Sequence, residues 1–287
     1  AQRRSQWDVA EGLIRESIEL APDEAANYQR LAQTLFQKEQ YDDAYAAAKS
    51  AQEKNPDALS PEILMGTLYG QAGNMETARE WMSKAVEKSP DDLATRLSLA
   101  NWYLQNGDPE SAFTETVAAS DLNPDSLDAK MLRGLAARLL GKYEEAEKYL
   151  ELAHLQSPGN AKATNQLALV LIDSGDKDKL RRGVELAETN YRQYPQDEQS
   201  VSTLGRAYYR QGKIREATQL FDNLLKAMQQ SGRDLPADTK YFIAELSVDI
   251  GNPNVATRLL DQALASNRTF TYRTEAEALR EKLRGSE

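Results

Sequence analysis

Few side chains in this sequence are placed to do chemistry. It contains a single histidine, His154, and no cysteine, so a histidine metal cluster, a thiolate metal site and a disulfide are all excluded. His154 sits between Ala153 and Leu155, the setting of a packed structural imidazole. The acidic pairs Asp42-Asp43, Asp91-Asp92 and Glu144-Glu145 recur at expected helix starts. There a carboxylate meets the positive end of the helix dipole, which explains them better than acid–base catalysis. No phosphate-binding loop, dinucleotide-type glycine run or HExxH pattern occurs. Asn267-Arg268-Thr269 has the form of a glycosylation sequon, but so short a triplet recurs often without use. What remains is a set of recognition residues: Arg206 and Arg210 flank Tyr209, with Tyr241 beyond. Arginine and tyrosine are the residues that most often anchor interfaces. The residues therefore point to binding, with no catalysis, cofactor or metal.

Composition narrows the kind of partner. The net charge of −10 over 287 residues argues against nucleic acid, which needs a basic stripe. The longest basic clusters are Arg3-Arg4 and residues 177–182, the latter interrupted by Asp178. No run of eighteen apolar residues is present, so no membrane-spanning helix is expected. The opening Ala1-Gln2-Arg3-Arg4-Ser5 does not read as a signal peptide. Absence of cysteine suits a periplasm or a cytoplasm equally.

The elements that must position these residues announce themselves as a repeat. Pro22, Pro56, Pro90, Pro124 and Pro158 stand 34 residues apart, and Pro195 and Pro236 follow after gaps of 37 and 41. Twenty-four residues before four of these prolines stands a small residue (Ala32, Gly66, Ala100, Gly134); twelve before, Ala44, Ala78, Ala112 and Ala146; five before, Ala51, Ala85, Ala119 and Ala153. Seventeen before, three of the four units carry glycine (Gly73, Gly107, Gly141). Each unit reads as two helices. The glycine ends the first through a left-handed residue, the proline stops the second, and small residues sit where helices cross closely. Leu64, Met65, Leu68 and Tyr69 in 61–71 follow a helical period.

These columns resemble the tetratricopeptide repeat. Met131-Leu132-Arg133-Gly134-Leu135-Ala136-Ala137, Gly141-Lys142-Tyr143-Glu144-Glu145-Ala146, Ala153 and Pro158 match its pattern. So do Leu204-Gly205-Arg206-Ala207-Tyr208-Tyr209, Gly212, Ala217, Phe221 and Pro236. The tryptophan common early in the family's first helix is replaced by Tyr28, Glu62, Arg96 and Lys130. The resemblance covers roughly residues 7–265 and implies an all-α, right-handed superhelical solenoid, one continuous body over 1–287. Its expected parts are a half repeat at 1–22, regular repeats at 23–56, 57–90, 91–124 and 125–158, extended repeats at 159–195 and 196–236, a last repeat at 237–265 and a capping helix at 271–284. The half repeat reads as the second helix of a unit cut from a longer array. The extended repeats should lengthen a turn or a second helix; that of 196–236 should run from Ile214 to Gln230.

In this family the first helices line a concave face on which partners lie as peptides or helices. Carried over, that places Gln33, Ile63, Thr67, Leu97, Asn101, Met131, Leu135, Arg138, Asn165, Leu169, Arg206, Tyr209, Arg210 and Tyr241 on a partner-binding surface. Leu97 and Met131 stand where lysines would grip a chaperone's C-terminal carboxylate, so that role is not expected. The expected occupant is a protein partner, an amphipathic helix or peptide over the apolar middle, with an acidic group meeting the arginines. An alternative is homodimerisation through the open N-terminal half repeat. The endings Asn-Pro and Ser-Pro and the tail from Ala263 to Leu279 also resemble bacterial repeat proteins of envelope or exopolysaccharide assembly, which favours a periplasmic setting over a cytoplasmic one.

Overall fold

A computed structural model describes residues 2–266 and 269–285. Among the described residues the chain is entirely helical, as expected, with sixteen helices and no strand. Its contacts group into two compact units, 1–102 and 103–287. The first holds α1 (Gln2–Leu20), α2 (Ala25–Gln37), α3 (Tyr41–Lys54), α4 (Pro61–Gln71), α5 (Met75–Lys88) and most of α6 (Leu93–Gln105). The second holds α7 (Pro109–Leu122), α8 (Leu127–Leu139), α9 (Tyr143–Gln156), α10 (Ala161–Ile172), α11 (Lys177–Gln193), α12 (Glu198–Arg210), α13 (Ile214–Ser231), α14 (Ala237–Asp249), α15 (Pro253–Leu264) and α16 (Arg273–Arg284).

Sequence-adjacent helices pack as pairs: α2 with α3 and α4 with α5 in the first unit, α8 with α9 through α14 with α15 in the second. The small-residue columns make this possible. Ala44, Ala78, Ala112 and Ala146 are fully buried, as are Ala119 and Ala153, and Ala51 and Ala85 nearly so. Where the crossing residue is glycine the approach is closer still, and a methyl group at Gly134 would sit 2.5 Å from Leu150 Cγ. In the second unit the first helices also touch in series, α8 to α10, α10 to α12 and α12 to α14. They form an inner layer, and this layer carries the candidate site.

Helix starts are fixed by side chains that accept from the exposed first-turn amides. Ser60, Asn74, Asp108, Ser126, Asn160 and Asp197 each accept from the N–H three residues on. The extra residues of 159–195 go into a second helix that starts early at Lys177, where Asp176 accepts from both Asp178 and Lys179. Those of 196–236 lengthen α13 to 18 residues, closed by Gly232 at φ 65°. The last helix begins at Arg273 rather than at the expected Thr271, with Tyr272 as its N-cap, the Tyr272 carbonyl accepting from the Ala276 N–H at 2.9 Å.

The first helix of each pair ends on a left-handed residue: Gly73, Gly107, Gly141, Gly175, Gly212 and Gly251, at φ 69–82°. In α2 the same place is taken by Glu39 at φ 64°, the only non-glycine with positive φ among the described residues. A Cβ in this conformation meets the following carbonyl. Glu39→Gly is therefore expected to stabilise the first unit by about 1 kcal/mol, read as a higher midpoint with unchanged slope in urea unfolding.

One buried carboxylate of the first unit is paired across helices through a single oxygen, Oε1. Glu62, only 4% exposed, accepts from Tyr45 Oη at 2.5 Å and from Lys88 Nζ at 3.0 Å. Burial works to raise the Glu62 pKa, but these donors outweigh it and hold the carboxyl below its usual value. Burial, and then the Glu62 carboxylate, push Tyr45 up to about 12. Tyr45→Phe removes one charge-assisted bond while keeping the ring against Trp81. It should cost about 1.5 kcal/mol, and a loss below a few tenths in thermal melts would show that the bond adds nothing.

Candidate functional site

The inner layer gathers only some of the residues that sequence reasoning singled out. In the first unit Gln33 and Asn101 are exposed, while Ile63 is buried. Thr67 and Leu97 are half-buried, and the Thr67 hydroxyl donates to the Ile63 carbonyl. In the second unit Met131 and Leu135 are half-buried on α8, and Leu169 is buried on α10. Asn165 is buried by polar packing: its Nδ2 donates to Ser200 Oγ at 3.3 Å, and its Oδ1 accepts from Asn190 at 2.8 Å. It joins α10, α11 and α12 rather than offering a free amide. Tyr209 is half-buried, its hydroxyl donating to Asp249 at 2.7 Å. Arg210 is exposed, 3.8 Å from Asp173.

Arg138, Arg206 and Tyr241 meet at the centre of this layer, each 4–6% exposed. What buries them is the chain itself. The connector from α15 to α16 runs across the first helices as a short strap, Thr269-Phe270-Thr271-Tyr272, whose last two residues turn into α16. The Thr269 hydroxyl donates to the Leu104 carbonyl. The Thr271 N–H donates to Asp238 Oδ1 at 2.9 Å. Tyr272 stacks on Tyr241 at 5.3 Å between ring centres and stands edge-on to Phe242 at 4.9 Å. Phe270 packs near Tyr241, and Arg273 lies over the Phe270 ring while donating to the carbonyls of Leu264 and Ser266. Phe270 and Tyr272 are each 7% exposed.

The Tyr272 hydroxyl is the hub of a polar relay. It accepts from Arg138 Nη2 at 2.6 Å and donates to Asp173 Oδ2 at 2.6 Å. The other Asp173 oxygen accepts from Arg206 Nε at 3.1 Å and Nη2 at 2.9 Å. Arg206 also donates through Nη1 to Glu245, and Arg138 donates through Nη1 to Gln166 at 2.7 Å. The Arg206 guanidinium faces the rings of Phe242, Tyr272 and Tyr241 at 4.9–5.8 Å. Burial would lower both arginine pKa values, but the surrounding Asp173, Tyr272 and other acids outweigh it, so both remain charged. Burial raises Tyr272 well above an ordinary phenol and, together with Glu245, brings Tyr241 to about 12. Burial likewise raises Asp238, opposed by Arg138 and the Thr271 amide.

The acidic group expected opposite the arginines is thus supplied within the chain, by Asp173 and Glu245. Sequence reasoning missed Asp173, Asp238 and the strap. The available signal was Phe270 and Tyr272, two large aromatics in a connector with no helical period. The sequon positions Asn267 and Arg268 lie outside the described residues. His154 is half-buried with Nδ1 3.0 Å from Thr164 Oγ1, a structural role. Among the described residues no group of His, Asp or Glu is arranged to hold a metal, and no helix is long and apolar enough to cross a membrane.

Helix pairs of about 34 residues, joined by left-handed glycines and packed through alanine columns, decide the architecture. The fold is that of the tetratricopeptide repeat. A family model of that repeat matches residues 199–230, and a model of the anaphase-promoting complex, cyclosome, subunit 3 matches residues 71–153. A tetratricopeptide-repeat protein from Parabacteroides merdae superposes with TM-score 0.66 at 16% identity, over 91% of this chain and 99% of that one. The APC/C hetero-tetramer Cut9–Hcn1 does so with TM-score 0.61 at 16% identity, over 98% of this chain and 53% of that one. Yeast Tom70 gives 0.53 at 16%, over 99% and 60%. At these identities the likeness is one of fold. No curated protein sequence matches the chain. Tetratricopeptide-repeat proteins are in general protein-interaction scaffolds.

Proposed function

We propose that this chain is a non-catalytic scaffold that binds a protein partner through the first helices of its repeats, the partner contributing a short extended peptide or a helix. The observation that carries this reading is the strap. The first-helix layer of the second unit already holds a four-residue segment by a main-chain amide, two aromatic side chains and a tyrosine hydroxyl. These are the means by which a groove holds a peptide. Cut9–Hcn1, a protein of the same fold, was solved as a hetero-tetramer, which agrees with a role in assembly. The sequence hints favour a bacterial envelope setting for that assembly, and fractionation of the native cell tests it.

Site-specific photo-crosslinking tests the binding face. A benzophenone side chain at the exposed position Arg210 should capture one partner in the native cell. The same group at Lys226, exposed on the second helix α13, should not. Capture only from Lys226 would move the interface to the opposite face. No capture from any position, beside a concentration-dependent dimer in sedimentation, would favour self-association through the N-terminal repeat.

A further inference from the structure

Resting on the scaffold reading above, we infer that residues 269–272 act as a built-in ligand, and that the site beneath them recognises an aromatic-X-tyrosine segment of a partner in competition with the strap. Closing the end of a repeat array requires apolar cover, which Ala276 and Leu283 of α16 already provide. It does not require a tyrosine hydroxyl between two buried arginine systems. Arg138 and Arg206 are each 4% exposed, and a buried charge needs its full set of partners. Arg206 has two carboxylates from the helix layer itself, Asp173 and Glu245. Among the described residues Arg138 has only Gln166 of that layer within hydrogen-bonding distance, with Asp238 at 4.0 Å. The strap's hydroxyl completes it. With the strap lifted, the layer presents one incompletely paired guanidinium beside an aromatic shelf of Tyr241 and Phe242. That is a site for a phenol ring carrying an acceptor.

The strap fills the middle of the site and leaves space on both sides. Cavities of about 220 Å3 flank it, one lined by Leu135, Gln166, Gln199 and Ser202, the other by Tyr143, Arg210 and Glu275. Tethering gives the strap an effective concentration in the millimolar range. A partner segment prevails by extending beyond the four residues into these spaces, and α16 is released when it does.

The test uses the full chain and the labelled peptide Thr-Phe-Thr-Tyr-Arg, the sequence of residues 269–273, followed by fluorescence anisotropy. Wild type should bind it weakly. Phe270→Ala/Tyr272→Ala, which empties the site, should bind at least tenfold more tightly. A peptide with phenylalanine in place of its tyrosine should bind that variant at least fivefold less tightly. Equal affinity of wild type and the emptied variant, or of the two peptides, overturns the inference. If the double variant does not fold by circular dichroism, Tyr272→Phe decides. It keeps the ring, breaks the relay and should still gain affinity over wild type; no gain overturns the proposal. Failure here together with crosslinks at Arg210 would remove the built-in ligand and leave the scaffold reading in place.

Discussion

Arg206→Met will lower the stability of the 103–287 unit by about 3 kcal/mol. Methionine roughly preserves the volume lying against Phe242, Tyr241 and Tyr272, so the loss isolates the charge. Two carboxylates depend on this guanidinium, Asp173 through two bonds and Glu245 through one. Removing it leaves Asp173 with the Tyr272 hydroxyl and with Arg210 at 3.8 Å. Breaking one half of a buried ion pair costs more than never having it, because the remaining charge stays desolvated. The same logic fixes the control: Arg206→Met/Asp173→Asn should be less destabilised than the sum of the two single variants. Urea unfolding of the four proteins measures this. Additive losses would mean that the guanidinium acts through packing alone.

Gly205→Ala will cost about 2 kcal/mol, against the usual gain of about 1 kcal/mol for replacing a helical glycine. An added methyl at Gly205 would sit 2.6 Å from two ring carbons of Phe221. Phe221 is 1% exposed and closed in on every side, so its ring has nowhere to swing. Gly66→Ala is the comparison. Its methyl would meet Met82 Cε at 2.8 Å and the Ala78 carbonyl at 3.1 Å; Met82 is also fully buried, but its unbranched chain can adjust where a ring cannot. This second change should be neutral to within about 1 kcal/mol. If the two substitutions shift the midpoint equally, rigidity of the opposing side chain is not what sets the cost.

The contrast between these glycines shows how far the sequence could be read. The period of 34, the alanine columns and the glycine turns reveal helix pairs, because each column answers to a local steric demand that the neighbouring repeat imposes. Glu39 breaks one column, and its left-handed backbone shows that the repeat, not the residue, dictates the conformation there. The same register carries the expectation that the first helices line a binding face, with Arg206, Tyr209, Arg210 and Tyr241 toward its C-terminal end. The strap was not legible. Arg138 and Tyr272 come together through the stacking of several repeats, and no local pattern encodes a contact that depends on their summed curvature. Asn165 looked like a recognition residue for a related reason. Its partners Asn190 and Ser200 lie on other helices, and only their meeting turns a free amide into a structural one.

The strap also changes how the second unit must come apart. Repeat arrays are held by neighbour-to-neighbour contacts, so they melt from their ends and can populate partly folded stretches. Here Tyr272 is bonded to groups 134 and 99 residues away, Arg138 and Asp173. The strap is thereby fastened across four repeats. Neither end of that span can fray without giving up the relay, so the repeats between Arg138 and Tyr272 are expected to unfold more cooperatively than a plain array does.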